Sequence, residues 1–325
     1  MRTLSGDQSV TEATYQVTGA SIVERLQRST LFLTLLSLAL LLVGCAIPGG
    51  GNGTTNGDLS GHIHIVGSTA LLPLVAKAAD QFRQHHPGVK MDVEGGGSIT
   101  GLKAVTTHQA DIGDSDIYAD PALYPDPNLT DHIVCVTMFT LIVDPHITLS
   151  SLTTQQIIAI FTRKGANWNV FGGPDLPVVP IIRPATSGTR ALFRKYVLGG
   201  AAESGHPLTT DSSTGVINAV AHTPGAIGYV TTVLVNPTVR RIGIDGVTAT
   251  VQSIKAGRYK FWGYEHMYTL ENGSNATTAF LDFMLTAAAQ QLAQKLGYLP
   301  VSAIAGTAAQ AGAKRLLFSS VLAVH

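Results

Sequence analysis

Three short polar turns, far apart in the chain, each open a stretch with helical spacing. They are Gly67-Ser68-Thr69-Ala70, Gly95-Gly96-Gly97-Ser98 and Thr186-Ser187-Gly188-Thr189. An acidic turn, Asp114-Ser115-Asp116, and an arginine, Arg183, stand close to them in sequence. A helix start carries backbone N–H groups with no intrahelical acceptor and a partial positive charge, so each such turn suits an anion. Taken together with one guanidinium and one carboxylate, they describe a dehydrated site for a small tetrahedral oxyanion.

Each turn alone has a plainer reading. Ser68-Thr69 is a good helix start, and Ser98 reads as the N-cap of a helix over 99–107. The glycine turn lacks the spacing of a dinucleotide loop, and no Gly-Lys-Ser/Thr follows it, so no nucleotide motif is matched. Arg183 carries more information. It ends an apolar strand expected over 176–182, where an unpaired guanidinium is costly to bury. It needs an anion, either a carboxylate such as Asp116 or Asp114 or a bound ligand. A planar guanidinium fork fits two oxygens of a tetrahedral anion.

Asp116 looks misplaced in an anion site until the ligand carries a proton. Phosphate near neutral pH keeps a P–O–H donor; sulfate offers only acceptors. A buried carboxylate that accepts this hydrogen bond favours phosphate, because sulfate would leave it facing another lone pair. The plain alternative is an aspartate capping its own tight turn. Other chemistry is thin. His62 and His64 alternate along a strand and His85-His86 end a helix, with no matching carboxylate or cysteine set, so no metal site is expected. No Gly-x-Ser-x-Gly elbow occurs, and no histidine is placed to activate Ser98 or Ser187.

The elements that must carry these residues follow a strand–turn–helix rhythm. Strands are expected at 62–66, 89–93 and 110–113, with helices at 71–82 and 99–107. That alternation predicts an α/β lobe with a largely parallel sheet, and such sheets bind ligands at the carboxyl ends of their strands, where the polar turns fall. A long apolar strand over 134–143 has the character of a crossing between lobes, and 261–270 of a return. Further helices are expected at 150–161, 190–197 and 277–296, and a strand within 224–230. No repeat at a solenoid period is present.

The ends differ from this body. Arg25 and Arg28 precede an apolar run over 31–43 that closes on Leu42-Val43-Gly44-Cys45, the order of a secretory signal. The run is short of the roughly 20 residues that span a bilayer. The Leu-x-Gly-Cys ending resembles a bacterial lipoprotein signal, with Cys45 as the lipidated residue; the plainer alternatives are an ordinary signal peptide or an N-terminal membrane anchor. A glycine-rich tether follows over 45–59. With Cys45 so used, Cys135 has no partner and reads as a buried inert thiol. The alanine-rich, then apolar end over 306–325, which includes the tail at 311–325, reads as a packed terminal helix, with a partner-binding helix as the alternative. Acidic and basic residues balance at 21 each, which argues against nucleic-acid binding.

Four stretches in this order resemble one family: GSTALLPLVAKAADQF from Gly67, GGGSITGLKA from Gly95, ADIGDSD from Ala110 and RPATSGTRALF from Arg183. GAIGYV from Gly225 and GYLPVS from Gly297 are weaker echoes. The body is similar to the phosphate-binding component of bacterial phosphate ABC transporters, a periplasmic-binding-protein type II family. That resemblance implies a two-lobed α/β fold, each lobe a mostly parallel sheet flanked by helices, joined by crossing strands. The expected division is a signal at 1–44, the tether at 45–59, one lobe from 60–138 with 262–310, the other from 139–261, then the tail. The implied phosphate contacts are Thr69, the amide of Ala70, Ser98, Asp116, Arg183, Ser187, and the amides of Gly188 and Thr189. Ile99 departs from the small residue the family often has after the first serine, which puts further contacts from that turn in doubt. The resemblance further implies a lipid-anchored or periplasmic monomer at the outer face of the cytoplasmic membrane. It would deliver phosphate to permease subunits, with no cofactor, metal or catalysis. The alternatives are a binder of another oxyanion (sulfate, molybdate or tungstate) and a secreted phosphatase-like enzyme.

Overall fold

The computed structural model describes residues 59–163, 166–204, 208–271 and 273–305. The expected signal, Cys45, nearly all of the tether and the C-terminal tail lie outside the described residues. The strands are β1 (Gly61–Gly67), β2 (Val89–Gly95), β3 (Ile112–Ser115), β4 (Leu129–Val143), β5 (Ser151–Leu152), β6 (Val179–Ile182), β7 (Leu208–Thr209), β8 (Ala226–Thr231), β9 (Arg240–Ile244) and β10 (Trp262–Leu270). The helices are α1 (Leu72–His85), α2 (Ser98–Thr106), α3 (Thr154–Thr162), α4 (Gly188–Tyr196), α5 (Ser213–His222), α6 (Val251–Lys255), α7 (Asn275–Met284) and α8 (Ala287–Leu296).

The alternation of Ile63 and Ile65 gives β1 one fully buried face, with Val66 buried on the other, and the strand lies parallel to both β2 and β3. β6 likewise lies parallel to β7 and β8. Between these parallel groups run β10 and β4, antiparallel to each other and to their outer neighbours. The path is therefore β2-β1-β3-β10-β4-β8-β6-β7, with β9 beside β4 and β5. The sheet is mixed: its parallel groups are those expected, and its antiparallel members are the two long crossing strands.

β4 serves two cores as it crosses. Val134 and Cys135 pack with Ile63, Ile65, Leu74 and Phe280 on the β1 side. Phe139, Leu141 and Val143 pack with Ile160, Phe193 and Tyr229 on the β8 side. Cys135 is buried and free, and burial raises its thiol well above the ordinary range. That agrees with the inert reading.

Three expected elements are corrected. The helix expected over 277–296 is two helices, because Thr286 is extended and its hydroxyl accepts from the Ala289 amide, starting α8 afresh. The helix expected from 150 begins later: Ser151 and Leu152 pair with β9, and Thr153 forms a capping box with Gln156. Ser98 is not an N-cap; Gly97 holds that position and Ser98 is the first helical residue. This frees the Ser98 hydroxyl to act elsewhere. α2 can reach the strand ends because two glycines meet. A Cβ on Gly101 would sit 2.6 Å from the Val66 carbonyl oxygen, and one on Gly113 2.5 Å from that of Gly101.

Candidate functional site

Strand ends bring the polar turns together. β1 ends at Gly67, β2 at Gly95, β3 at Ser115, and β6 delivers Arg183. Backbone bonds lock the turns to one another: Ser68 N–H donates to the Asp114 carbonyl at 2.9 Å, Gly97 N–H to that of Gly67 at 2.8 Å, and Ile99 N–H to that of Thr186 at 3.0 Å. The last of these joins turns that are far apart in the chain.

Asp116 is the hub. Its Oδ1 accepts from the Ser68 hydroxyl, its Oδ2 accepts from Thr189 Oγ1 at 2.6 Å, and its backbone N–H donates to Ser98 Oγ at 2.9 Å. One residue thus holds a hydroxyl from each of the three turns. The reading of Asp116 as a residue that only caps its own turn is not what the geometry shows.

Arg183 is 1% exposed and has no carboxylate partner among its hydrogen bonds. Nη2 donates to Thr69 Oγ1 at 3.1 Å and to the Asp211 carbonyl at 3.0 Å, and Nη1 donates to Ser213 Oγ at 3.3 Å. Of the two partners open to Arg183, a carboxylate or a ligand, a hydrogen bond to Asp114 or Asp116 is absent among the described residues; hydroxyls and a carbonyl hold the fork. Burial lowers the guanidinium from its ordinary value, with Asp116 as the first opposing influence. Nε has no partner. A buried cation held by neutral acceptors keeps an unbalanced charge that a bound anion can balance.

The other expected contacts fall in the same place, with differences. Thr69 Oγ1 takes part in bonds with Arg183, Ser213 N–H at 3.2 Å and Ser213 Oγ at 3.0 Å. The Ala70 amide donates to Ser68 Oγ at 3.0 Å, so it is engaged within its own turn. Ser187 caps α4, accepting from the Arg190 N–H at 3.2 Å, and Gly188 and Thr189 are buried at the first turn of that helix.

Ser213 and Glu265 were not anticipated. Ser213 had a readable signal: Ser212-Ser213-Thr214-Gly215 is a fourth polar helix start, with Ser212 accepting from the Gly215 N–H at 3.0 Å. Glu265 stands alone in the apolar strand β10, and only the fold reveals that it meets Asp116. The histidines also differ from expectation. His62 has a carboxylate partner, Asp92, at 2.7 Å, and His64 lies 3.6 Å from Glu94. Among the described residues, no group of three or more histidine, cysteine, aspartate or glutamate side chains could hold a metal ion.

These elements form an α/β fold of the periplasmic-binding-protein type II class, with a mixed sheet flanked by helices. Residues 52–288 match the PBP superfamily domain. The phosphate-binding protein PstS of Bacillus subtilis (strain 168) is 35% identical over 288 residues, covering 85% of this chain and 96% of that protein. The chain belongs to the PBP superfamily and, within it, to the family of the phosphate-binding protein PstS. A crystal structure of a phosphate ABC transporter substrate-binding protein from Clostridium perfringens, with bound phosphate, superposes with a TM-score of 0.70 at 27% identity. It covers 74% of this chain and 100% of that one. An ABC-type phosphate transport receptor from Vibrio cholerae shares the fold, with a TM-score of 0.61 at 23% identity, covering 73% of this chain and 99% of that one.

Proposed function

We propose that this chain captures inorganic phosphate and delivers it to an ABC permease. One observation carries the reading: buried hydroxyls from three separate turns converge on Asp116, two on its carboxylate and one on its backbone N–H, beside a buried arginine without a hydrogen-bonded carboxylate partner. The proposed contact set is the donors Thr69, Ala70, Ser98, Arg183, Ser187, Gly188 and Thr189 with Asp116 as the acceptor, and we include Ser68 and Ser213 because they bond to Asp116 and Arg183. The chain acts by binding, not turnover, as its PstS relatives are named for binding.

The lobes in this reading are 60–138 with 262–310, and 139–261. Ser68, Thr69, Ser98 and Asp116 lie on the first; Arg183, Ser187, Thr189 and Ser213 lie on the second. Phosphate touching both would stabilise the closed arrangement, which a permease can sense. Calorimetric titration tests the ligand. Small-angle scattering tests the clamp: dimensions should shrink on saturation with phosphate, and an unchanged radius would count against closure.

Gly188 gives a second test. A Cβ there would strike Ser98 Oγ and lie 3.0 Å from the Asp116 Cβ. Overpacking of this kind costs about 1–3 kcal/mol, and roughly 1.4 kcal/mol is tenfold in affinity. Gly188→Ala should therefore weaken phosphate binding by about tenfold or more, read by the same titration. An unchanged affinity would mean that the two turns need not meet.

For location, an extracytoplasmic position follows from the family. The finer reading is a lipid anchor on Cys45 followed by a tether. No helix among the described residues is long and apolar enough to cross a membrane. Membrane fractionation of the parent and Cys45→Ala checks the anchor; equal release of both would remove it.

A further inference from the structure

Glu265 is a fully buried carboxyl in the middle of β10. β10 runs antiparallel beside β3 with His266 opposite Ser115 and Met267 opposite Asp114, so Glu265 comes next, level with Asp116. The pairing of β10 with β4 shifts register between Glu265 and His266, an irregularity that re-aims side chains. The neighbouring Gly263 is close enough that a Cβ on it would lie 3.3 Å from the Asp116 carbonyl oxygen. Neither Glu265 oxygen meets hydrogen-bond geometry with a described residue, and Asp116 is the charged group that acts most strongly on this carboxyl.

Two ionised carboxylates cannot sit together in such a place without a compensating cation. The titratable groups facing Glu265 are Asp116 and Asp114 from the β3 side, Cys135 from β4 and Tyr298 from the segment after α8. None of them is a cation; Arg183 acts on Asp116, one positive charge against two carboxyls. Burial, and then Asp116, push the Glu265 carboxyl well above the usual carboxylate range. Asp116 accepts hydroxyl hydrogens on both oxygens, the behaviour of an ionised acceptor. Between this pair the proton therefore belongs on Glu265 rather than Asp116; Asp114, likewise buried beside Asp116, is raised for the same reasons.

We infer that Glu265 is a positioning residue of the oxyanion site: a proton-bearing acid held against Asp116 that leaves Asp116 as the ionised acceptor facing the ligand. This inference rests on the phosphate reading above. It also limits the site. Once Glu265 loses its proton, a second negative charge stands beside Asp116 and opposes the entering anion. Phosphate affinity should then fall as pH rises through that ionisation, by about tenfold per pH unit for one proton. Changes in the phosphate ion itself are common to parent and variant and cancel in their ratio.

The experiment is phosphate titration of the full chain from pH 6 to about 10, in the parent, Glu265→Gln, Glu265→Asp and Asp114→Asn, with melting temperature recorded without phosphate over the same range. Glutamine cannot ionise, so the alkaline fall should disappear in Glu265→Gln; it should persist in Glu265→Asp and in Asp114→Asn. The ligand-free melting curves give a separate readout. The folded-state carboxyl is raised above its unfolded value, so its contribution to stability is full below the ordinary carboxylate range. It is lost as pH rises toward the folded-state ionisation. The melting temperature of Glu265→Gln should gain on the parent across that interval. An alkaline fall that survives in Glu265→Gln, or one that vanishes instead in Asp114→Asn, overturns the inference. A parent that binds no phosphate at any pH, while the melting difference still grows, overturns the phosphate reading and leaves the buried acid established.

Discussion

Arg183→Ala should lower phosphate affinity by about 30-fold to several thousandfold, the equivalent of roughly 2–5 kcal/mol. The size follows from burial. Arg183 is 1% exposed, and its guanidinium is held by Thr69, Ser213 and the Asp211 carbonyl, none of them charged. An anion entering this site leaves water, and only a charge already desolvated and aimed can replace that hydration. Alanine removes the charge and both arms of the fork at once. Arg183→Lys separates the two contributions, because a point charge is retained while the planar fork is lost. It should fall between the parent and the alanine variant. Calorimetry measures the affinities, and melting temperature without ligand checks that the fold survives. A folded Arg183→Ala protein that binds phosphate within about threefold of the parent would show that the guanidinium is a structural group serving Thr69 and Ser213.

The legible part of this site was its local grammar. Gly67-Ser68-Thr69 and Ser187-Gly188-Thr189 each predict a helix start whatever the fold, because capping and glycine geometry act within a few residues. The strand–turn–helix rhythm then places those starts at one end of a sheet. What stayed hidden depends on contacts between residues distant in sequence. Glu265 meets Asp116 only because β10 returns antiparallel beside β3. Ser98 was mistaken for a cap because serine before an apolar helix usually is one. Its hydroxyl instead accepts from the Asp116 amide, 18 positions away. The break at Thr286 was hidden for a different reason. Alanine, leucine and methionine before it and alanine, glutamine and leucine after it favour helix, so propensity alone runs α7 and α8 together.

Asp116→Asn should collapse the preference for phosphate over sulfate while weakening phosphate itself. The carboxylate accepts from Ser68 and Thr189 and is buried at 3% exposure, so a ligand oxygen brought against it must carry a proton or face a bare lone pair. Sites that hydrogen-bond one ligand and leave a buried group unpaired with its analogue discriminate by about 10⁴–10⁵ fold. Asparagine keeps the shape and adds an N–H₂ that can donate to sulfate, so sulfate gains what phosphate loses. Arsenate, which keeps its proton near neutral pH, should track phosphate through the same substitution. Arg183→Ala offers the contrast, since a lost cation weakens both anions and leaves their ratio nearly where it was. Competition calorimetry with phosphate, sulfate and arsenate reads all three. If Asp116→Asn still rejects sulfate as strongly as the parent, proton recognition does not reside in Asp116. The Glu265 proton behind it would then stabilise a buried carboxylate without selecting the ligand.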